Sequence, residues 1–538
     1  MKSKFLFLLM IVFLAVACDD DSSSGEKVVT GGEIPVDYEG PVTRILEDNV
    51  HAIKQNSTLG LVESDFLYTH MYGYRRIFRH LNENGYSHDR LVSGKLTSDL
   101  LKNYDIVFIN LMDSDKPDFT EQEIEDVRKW VEGGGGLFVI ADHTNVYRHA
   151  EKTNPLLAPY GIEIRYEIAI DVSPHTVSGL GWILVQDLTD HVVNAGIYEY
   201  CLQTGGPIDG PGGTGFTSES GWGDFWDESN DFGFYGNWSK EESEPWGPQA
   251  VVQAVSYGEG GVFVAGDQNM FGDPYIFFID DDGLAFNAFE WLAHREDEDV
   301  PLRNRPTTGL NIRIDTASDQ LSMGKTGGDE HYTFYVNMNR VQDVTAHASR
   351  TVLPFTPDVH MNVEPKQSVD ASSLDEMNSV LENGGQVVAV FAPEEMNSYR
   401  RALIEYLNET YELELQFENS DGDSMDLTLL ETEVGTFEHM TVDREFRGEY
   451  PVLPSCADLK CPGHAILTAA NDDGDSCDLI CEYPVLNGRI LISFNGQHFR
   501  RGCLLGEHDT PVYKYDEGVY SRGCYVLNLG LTDILLEY

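Results

Sequence analysis

Polar residues that can do chemistry directly follow two apolar runs in the first half of the chain. One run is Leu137-Phe-Val-Ile-Ala141 and the other begins at Gly260. The residues that follow these runs are Asp142, His143, Asp267, Gln268 and Asn269. Carboxylates beside an imidazole can transfer protons as general acid and base, or hold a divalent metal that activates water. We therefore predict a catalytic role for Asp142, His143 and Asp267.

A metal site is one form that this chemistry can take. One aspartate with two imidazoles suits zinc or iron, so Asp142, His143 and His149 are candidate ligands of a divalent metal. The candidate ligand-binding residues around them are Asn145, Asn154, Gln268 and Asn269. None of these spacings is a recognised ligand motif. The alternative is that Asp142 caps the next turn and that the histidines are ordinary surface residues.

A Gly/Trp-rich insertion at 201–247 offers a different kind of site. It contains Gly221-Trp-Gly-Asp-Phe-Trp226, in which Trp222 and Trp226 lie close to carboxylates. Long irregular loops in compact domains are often functional. Aromatic faces beside carboxylates and amides can stack on sugar rings, so Trp222 and Trp226 are predicted to bind a ligand. The alternative is a self-packed loop whose tryptophans cover the edge of a sheet.

The elements that position these residues are predicted to form an α/β fold. Near-continuous apolar stretches such as 137–141 are typical of strands buried on both faces. They alternate with amphipathic segments such as Thr120 to Val131, which are predicted helices. Ligands bind beyond the carboxyl ends of the strands in open parallel sheets. The fold therefore places Asp142 and Asp267 where chemistry would be done.

The same order of elements recurs in the second half of the chain. It runs from a predicted helix at Tyr332 to Ala346, through a strand at Asp358 to Val363, to a strand at Gln386 to Val390. We predict two tandem flavodoxin-like doubly wound parallel-sheet domains. The predicted units are a first domain at 41–300, a linker at 301–308 and a second domain at 309–538. Chance similarity between two α/β segments is the alternative.

The second copy is predicted to be degenerate. Aligning Gly136 with Gly385 places Phe391 opposite Asp142 and the following alanine opposite His143. Polar side chains at the strand ends are therefore lost in the second copy. If either copy binds or reacts, it should be the first.

The N-terminus resembles a bacterial lipoprotein signal. Residues 1–18 combine two early lysines, an apolar run too short for a comfortable membrane span, and Ala15-Val-Ala-Cys18 as a cleavage site. The resemblance implies a lipid on Cys18 and a tether at 19–40, rich in acidic, serine and glycine residues, that holds the chain at a membrane of the bacterial cell envelope. The outer membrane or cell surface is favoured over the inner membrane. An ordinary secretory signal is the alternative.

Six cysteines crowd into the last part of the chain. They are Cys456, Cys461, Cys477, Cys481, Cys503 and Cys524. An even number of cysteines in an exported protein predicts disulfides, which would staple the second domain. A zinc site is the rival interpretation, although neither close pair has the two-residue spacing of zinc knuckles.

Composition and missing motifs exclude several function classes. The chain has 36 basic and 90 acidic residues, a formal charge of -54, and a pI near 4.4. Such a field repels phosphate backbones, and we find no basic stripe, so nucleic acid is excluded as a partner. The sequence contains no phosphate-binding loop, Gly-x-Ser-x-Gly elbow or His-Glu-x-x-His motif. Ordinary serine hydrolases and zincins are therefore disfavoured.

The order of these elements resembles the class I glutamine-amidotransferase-like superfamily. The features that carry the resemblance are the strand at 104–111, the Gly-Gly turn before 137–143, and the Gly-Asp strand that ends at Asp267. The likeness is closer to its non-amidotransferase branches, such as trehalose-utilisation-like and gliding-motility-transport-like domains. True amidotransferases place a nucleophilic cysteine on the sharp turn after the Gly-Gly strand, and this chain has Asp142-His-Thr-Asn145 there. Glutamine hydrolysis is therefore not expected, and Cys201, expected in a loop, does not replace that cysteine.

Two function classes remain after these exclusions. The first is a lipid-anchored, non-catalytic binding or structural module for a glycan or an envelope protein. The second is a hydrolase or isomerase that acts on a carbohydrate-like substrate, by metal or by acid and base at the strand ends of the first domain. The missing nucleophile and the degenerate second copy favour the module.

Overall fold

The computed structural model describes most of the chain between residues 26 and 493. The described residues are 26–52, 73–177, 179–227, 235–273, 275–317, 334–335, 338–339, 344–391, 398–415, 425–429, 447–450, 464–471 and 476–493. The signal at 1–18 with Cys18, and four of the six clustered cysteines (Cys456, Cys461, Cys503 and Cys524), lie outside them. Among the described residues, no helix has the length and apolar character that a bilayer span requires.

A nine-stranded mixed sheet organises the first half. The strands of this half are β1 (Lys27–Gly32), β2 (Thr43–Asp48), β3 (Tyr86–Ser93), β4 (Ile106–Ile109), β5 (Gly136–Ile140), β6 (Glu163–Ile164), β7 (Glu167–Ile170), β8 (Trp182–Val185), β9 (Asp187–Leu188), β10 (Tyr200–Gln203), β11 (Ile208–Asp209), β12 (Gly213–Phe216), β13 (Trp222–Phe225), β14 (Ala250–Tyr257) and β15 (Gly260–Ala265). The order in the sheet is β1-β3-β2-β4-β5-β15-β14-β12-β9. Strands β3, β2, β4, β5 and β15 are parallel to one another.

Helices cover both faces of this sheet. They are α1 (Arg75–Glu83), α2 (Ser98–Leu101), α3 (Glu121–Glu132), α4 (His149–Leu157) and α5 (Asp281–Leu292). Phe138 of β5 packs with α1 and α5, whereas the next residue, Val139, packs with α3 on the opposite face. Successive side chains of a strand point to opposite faces. Strand β5 is therefore apolar throughout because both of its faces are buried.

The sequence specifies the start of α3 locally. The Thr120 hydroxyl accepts a hydrogen bond from the Glu123 backbone N–H, and the Glu123 carboxylate accepts one from the Thr120 backbone N–H. This reciprocal cap satisfies two amides that have no partner within the helix. Val127 and Val131 then bury the inner face of the helix against the sheet.

A second nine-stranded sheet organises the second half. Its strands are β16 (Leu310–Asp315), β17 (Val344–Ser349), β18 (Val359–Val363), β19 (Gln386–Val390), β20 (Met425–Leu429), β21 (Arg447–Tyr450), β22 (His464–Asn471), β23 (Ser476–Val485) and β24 (Gly488–Ser493). Its described helices are α6 (Ala371–Glu382) and α7 (Ser398–Tyr411). The order in the sheet is β17-β16-β18-β19-β24-β23-β22-β20-β21.

Eight neighbouring strands have the same order and direction in the two sheets. The run β3-β2-β4-β5-β15-β14-β12-β9 corresponds to β17-β16-β18-β19-β24-β23-β22-β20. Side-chain contacts repeat as well, because Asp105 accepts the Arg44 amide at 2.7 Å and Asp358 accepts the Asn311 amide at 2.8 Å. Each half is therefore an α/β unit built around a mixed sheet.

The structure corrects two predictions of element type. The sheets are not wholly parallel, since β15 pairs antiparallel with β14, and β24 does so with β23. The helix expected at Tyr332 to Ala346 is wrong at its end, where Val344–Ser349 forms strand β17 in parallel pairing with β16. The β-branched residues Val344 and Thr345 suit a strand that is buried on both faces.

The structure also corrects the alignment of the two copies by one residue. The backbone amide of Gly136 donates to Asp105, and the equivalent amide is that of Gln386, which donates to Asp358. Gly385 therefore corresponds to Gly135, and Phe391 lies opposite Ala141. Asp142 then falls opposite residue 392, which is outside the described residues.

Cysteines occupy different settings in the two halves. Cys201 is a free thiol, and it is buried in β10 and not in a loop as expected. Its backbone N–H donates to the Asp281 carboxylate at 2.8 Å, and burial raises the pKa of the thiol. Cys477 and Cys481 lie four residues apart on β23. Because the remaining members of their cluster are not described, the disulfide pairing stays a prediction.

Candidate functional site

The carboxyl ends of β5 and β15 bring Asp142 and Asp267 together. The two strands are parallel neighbours, and the Ala141 amide donates to the Ala265 carbonyl where the pairing ends. Asp142 is 1% exposed and Asp267 is fully buried. We name this pair, with His143 and the amides of Gln268 and Asn269, the strand-end cluster.

Backbone amides surround Asp267. Its carboxylate accepts hydrogen bonds from the N–H groups of Gln203, Asn269 and Met270, with the Asn269 contact at 2.7 Å. Burial nevertheless raises its pKa to about 7, because the charged form is removed from water. Asp267 is therefore the member of the pair whose charged form is stabilised by several backbone amides.

Asp142 is the member of the pair whose neutral form is favoured both by burial and by a neighbouring carboxyl group. Burial raises the pKa of Asp142 well above its usual range, and the nearby charge of Asp267 raises it further. The His143 backbone N–H donates to Asp142 at 2.7 Å, and the Gln268 side chain donates to it as well. Two neighbouring buried carboxyl groups with raised pKa values are an arrangement suited to acid and base chemistry.

His143 lies under the ring of Tyr235. The two rings stack with centroids 4.5 Å apart at 26°, and His143 is 6% exposed. Its Nδ1 lies 3.1 Å from the Thr144 hydroxyl, and its Nε2 lies 3.7 Å from the Asp142 carboxyl. The imidazole is therefore adjacent to the strand-end cluster but covered by the insertion.

The predicted metal ligands do not form a ligand set. His149 Nε2 accepts the Asp142 backbone N–H at 3.1 Å, and its Nδ1 faces the Val146 carbonyl at 2.8 Å. Both ring nitrogens are therefore used, and burial lowers the His149 pKa to about 4, which keeps the ring neutral. Across the described part of the chain, no three His, Cys, Asp or Glu side chains group as metal ligands.

The two asparagines that were predicted to bind a ligand form hydrogen bonds with backbone groups of the chain. Asn154 bonds both backbone groups of Ile164, at 3.0 and 2.8 Å, so it ties α4 to β6. The Asn145 side chain accepts the Glu151 amide at 3.2 Å, near the start of α4. Neither amide points at a shared site.

The protein's own backbone closes the strand-end cluster. The Gly206 amide donates to Gly266 at 2.7 Å, and the Thr144 amide donates to Glu167 at 2.7 Å. A Cβ atom added to Gly206 would lie 2.6 Å from the Asp142 carbonyl oxygen, so only glycine allows this approach. The segment after β10 therefore occupies the space where a ligand of an open α/β sheet would enter.

Some polar atoms in the strand-end cluster lack partners. In the part of the chain that the structure describes, these buried atoms are both amide atoms of Gln203, Oε1 of Gln268 and Oδ1 of Asn269. Buried polar groups are normally hydrogen-bonded, to protein or to ordered water.

The two predicted tryptophans have different settings. Trp222 is buried against Ile168 and Ile170, so it packs in the core of the insertion. Trp226 is partly exposed and packs edge-on to Tyr166, with ring centroids 6.3 Å apart.

Sequence reasoning did not single out Trp246, which is the most exposed aromatic ring around β13. Trp246 is 63% exposed and Trp238 is 36% exposed. The exposed and partly exposed rings that we call the aromatic surface are Tyr166, Phe225, Trp226, Trp238 and Trp246. The turn sequence Pro245-Trp-Gly-Pro248 was the available signal, because an aromatic between turn residues is held at a surface.

Short contacts group these rings around one strand. Trp222 of β13 bridges Trp246, and the Trp226 amide donates to the Tyr166 carbonyl at 3.0 Å. The Trp238 amide donates to the Asp224 carboxylate at 2.7 Å. The backbone anchors thus lie within a four-residue strand, which spans about 13 Å.

A pair of acidic side chains holds the loop that carries Trp238. Asp224 accepts amides of Asn237 and Trp238, while Glu244 accepts those of Phe225 and Glu241. Burial raises the Asp224 pKa to about 6, and the neighbouring Glu244 carboxyl raises it too. The two carboxyl groups fasten residues 237–244 to β13.

The second half contains a buried ionic cluster that sequence reasoning also missed. Arg313 pairs with Asp315 at 3.2 Å and with Glu376 at 3.1 Å, and His360 contacts Glu376 at 2.7 Å. These groups join β16 and β18 to α6. Their position within the layers indicates a structural role.

Comparisons with known proteins give only distant likenesses. No protein family and no curated protein matches the chain. Among solved structures, the mmIFT52 N-terminal domain shares 15% identity with a TM-score of 0.35, over 48% of this chain and 99% of that one.

Two ThuA-like proteins are also structural neighbours. One, from Bacteroides uniformis, shares 14% identity with a TM-score of 0.30, over 48% of this chain and 94% of its own. The other, from Parabacteroides merdae, shares 13% identity with a TM-score of 0.27, over 50% of this chain and 95% of its own. These likenesses extend over about half of the chain, and no statement about activity follows from them.

Proposed function

We propose that this chain is a non-catalytic glycan-binding module of the bacterial cell envelope, anchored by lipid on Cys18. The aromatic surface of the insertion is the binding site. The observation that carries this proposal is the contrast between two places in the first half. The strand-end cluster is closed by backbone, while bulky rings at β13 are open to solvent.

Closure of the strand-end cluster argues for a module without catalysis. A substrate must reach the reacting groups, yet Asp142, Asp267 and His143 are almost fully buried. The segment at Gly206 and the ring of Tyr235 cover them. In this conformation the polar groups hold strands and loops together.

Exposure of the aromatic surface argues for binding. Trp238 and Trp246 carry large apolar faces whose exposure the fold does not require, and such rings are common anchors of binding sites. Carboxylates of Glu241 and Glu242 lie beside them along the chain and are exposed. Flat rings with adjacent hydrogen-bond acceptors suit the apolar faces and hydroxyl groups of a sugar.

Glycan binding is tested with the full-length chain on an array of bacterial envelope and plant glycans. Trp238→Ala with Trp246→Ala should weaken binding at least about tenfold, because stacked aromatic anchors dominate such sites. Tyr399→Ala, at an exposed tyrosine of α7, is the matched control and should leave binding unchanged. Binding to an envelope protein but to no glycan would overturn the glycan assignment.

Lipid anchoring is tested separately by metabolic labelling with a fatty-acid analogue. The wild-type chain should carry the label and partition with membranes, and Cys18→Ala should lose both properties. An unlabelled wild-type chain would contradict the anchor and leave the binding site untouched.

The second candidate is a hydrolase or isomerase acting on a carbohydrate-like substrate. The observation that favours it is the raised pKa values of the neighbouring Asp142 and Asp267, with unpartnered amide atoms of Gln203 nearby. Opening of the segment at Gly206 would then be required. Turnover of a glycan by the wild type that Asp142→Asn abolishes would establish the enzyme and overturn the module.

A further inference from the structure

The charge around the aromatic surface is almost entirely negative. Residues 221–249 contain seven acidic side chains, one lysine and no arginine. Glu241 and Glu242 are exposed, whereas Asp224 and Glu244 are buried beneath the loop that carries Trp238. A ligand that reaches Trp238 and Trp246 therefore meets the exposed carboxylates of Glu241 and Glu242, whose field attracts cations.

The single lysine of this segment, Lys240, forms a cation–π contact that indicates which ligand groups the rings can bind. The Lys240 ammonium lies over the face of the Trp246 ring. A cation above an indole is attracted by the negative face of the ring, and tryptophan is the best of the aromatic side chains for this contact. Trp246 can thus bind a cation on its face, and in this structure that cation is the Lys240 ammonium group of the same chain.

We propose that the aromatic surface selects a glycan with free ammonium groups, a de-N-acetylated amino-sugar polymer, whose ammonium replaces Lys240 on Trp246. This inference rests on the proposed glycan-binding function and names the ligand class of that site. The sugar faces stack on the exposed rings, and the ammonium groups pair with the carboxylates of Glu241 and Glu242. Uronic acids and phosphorylated glycans meet like charge there and are rejected.

Titration calorimetry with two oligomers of equal length tests this selection. One oligomer is fully N-acetylated glucosamine and the other is fully deacetylated, used at about pH 6, where primary amines are protonated. We expect the deacetylated oligomer to bind about tenfold more tightly, and raised salt to reduce this advantage, since exposed charges are screened.

Lysine substitutions provide a second, opposite readout. Lys240→Met removes the internal competitor and should strengthen binding of the deacetylated oligomer about two- to fivefold. Lys366→Met makes the same charge change at an exposed site in the second half and should leave the affinity unchanged. Trp246→Ala should remove the preference for the deacetylated oligomer, and equal melting temperatures would establish that these variants are folded.

The outcomes separate the inference from the function on which it rests. Equal affinity for the two oligomers, or preference for the acetylated one, overturns the cation selection and leaves a glycan-binding module. Weaker binding by Lys240→Met also overturns it, because Lys240 would then be a ligand contact. Failure of the full-length chain to bind any glycan overturns both proposals.

Discussion

The pair Asp142 and Asp267 illustrates how burial is the largest influence on the pKa values of single carboxyl groups. Both carboxyl groups have raised folded-state pKa values, about 7 for Asp267. A raised carboxyl pKa stabilises the folded state fully at low pH, and that contribution is lost as pH rises through the folded-state value. The first half should therefore be most stable in mild acid, even if no substrate ever reaches the pair.

Asp142→Asn tests this charge balance directly. Asparagine imitates the neutral carboxyl group, and the Gln268 amide can turn to accept the new N–H. We expect the melting temperature to rise by about 2–4 °C at about pH 7 and by less at about pH 5, because ionisation of Asp142 stabilises the unfolded wild-type chain increasingly above its ordinary pKa, whereas asparagine does not ionise. Calorimetry at the two pH values measures the difference.

Two further variants control the Asp142 experiment. Asp142→Ala removes the acceptor of the His143 amide and should lower the melting temperature at both pH values. Asp375→Asn, at an exposed position of α6, should change neither. A loss of stability in Asp142→Asn at about pH 5 would contradict the preference of the buried Asp142 for its neutral form.

Asp224 extends the same reasoning to the loop that carries Trp238. Its pKa of about 6 means that the neutral form is favoured by folding, so the loop should be held best below that pH and loosen above it. We expect acrylamide quenching of the Trp238 emission, identified with Trp238→Phe, to increase between about pH 5 and pH 7. Asp224→Asn should make quenching independent of pH, and a pH-dependent curve in that variant would contradict this origin.

At the scale of elements, the close approach of Gly206 to β5 is what seals the strand-end cluster. A methyl group there meets the backbone oxygens of Asp142 and Glu167, which cannot move without displacing strands. Gly206→Ala should therefore cost about 1–3 kcal/mol in the free energy of unfolding, as other overpacked sites do. Urea titration measures this cost.

Gly133→Ala is the matched control for Gly206→Ala. An added Cβ there lies 3.4 Å from the Lys129 carbonyl oxygen, and the residue has φ of -91°, which alanine adopts readily. We expect a change within about 0.5 kcal/mol. Equal effects of the two substitutions would mean that the segment after β10 is not packed as tightly as its contacts indicate.

Some elements were predictable because local pattern and burial agree in them. The run at 137–141 is apolar throughout and overlaps β5, and the amphipathic segment from Thr120 to Val131 contains most of α3. Strand β17 was mistaken for the end of a helix because it is short, although its sequence, Val-Thr-Ala-His-Ala-Ser, alternates apolar and polar residues as a strand does. Pairing with β16, which is distant in sequence, decides its structure.

The candidate site was predictable in position but not in chemistry. Because ligands of open parallel sheets bind at the carboxyl ends of the strands, the sequence was enough to predict that Asp142 and Asp267 lie in one place. The ring nitrogens of His149 could not be assigned from sequence, since their partners depend on the turn at Tyr147 and Arg148, both with positive φ. Exposure of Trp246 likewise depends on how the insertion packs around Trp222.

At the scale of the whole molecule, the two halves contact each other through a sheet edge and a common core cluster. Phe278 of the first half bridges Ala348 of β17 in parallel, so the first half covers the edge of the second sheet. The same core cluster contains Trp182 and Cys201 from one half and Ile312 from the other. Covering an open sheet edge prevents unwanted pairing, so the halves are expected to unfold together.

Arg76 is a buried charged residue at this junction, and its removal should uncouple the halves. The guanidinium donates to the Val344 carbonyl at 2.8 Å and to the Asn339 carbonyl, while burial lowers its pKa to about 10. Arg76→Met leaves those carbonyl groups without a donor and should cost about 2–4 kcal/mol. Calorimetry should then resolve two transitions in place of one.

Arg79→Met separates loss of the junction from loss of a charge on α1. Arg79 lies one turn further along the same helix, is well exposed, and pairs with Glu83 at 3.1 Å. Such an exposed pair contributes about 0.3–0.5 kcal/mol, so this variant should keep a single transition close to the wild-type temperature. Two transitions in the wild type would mean that the halves unfold independently. Arg76 would then not couple their unfolding.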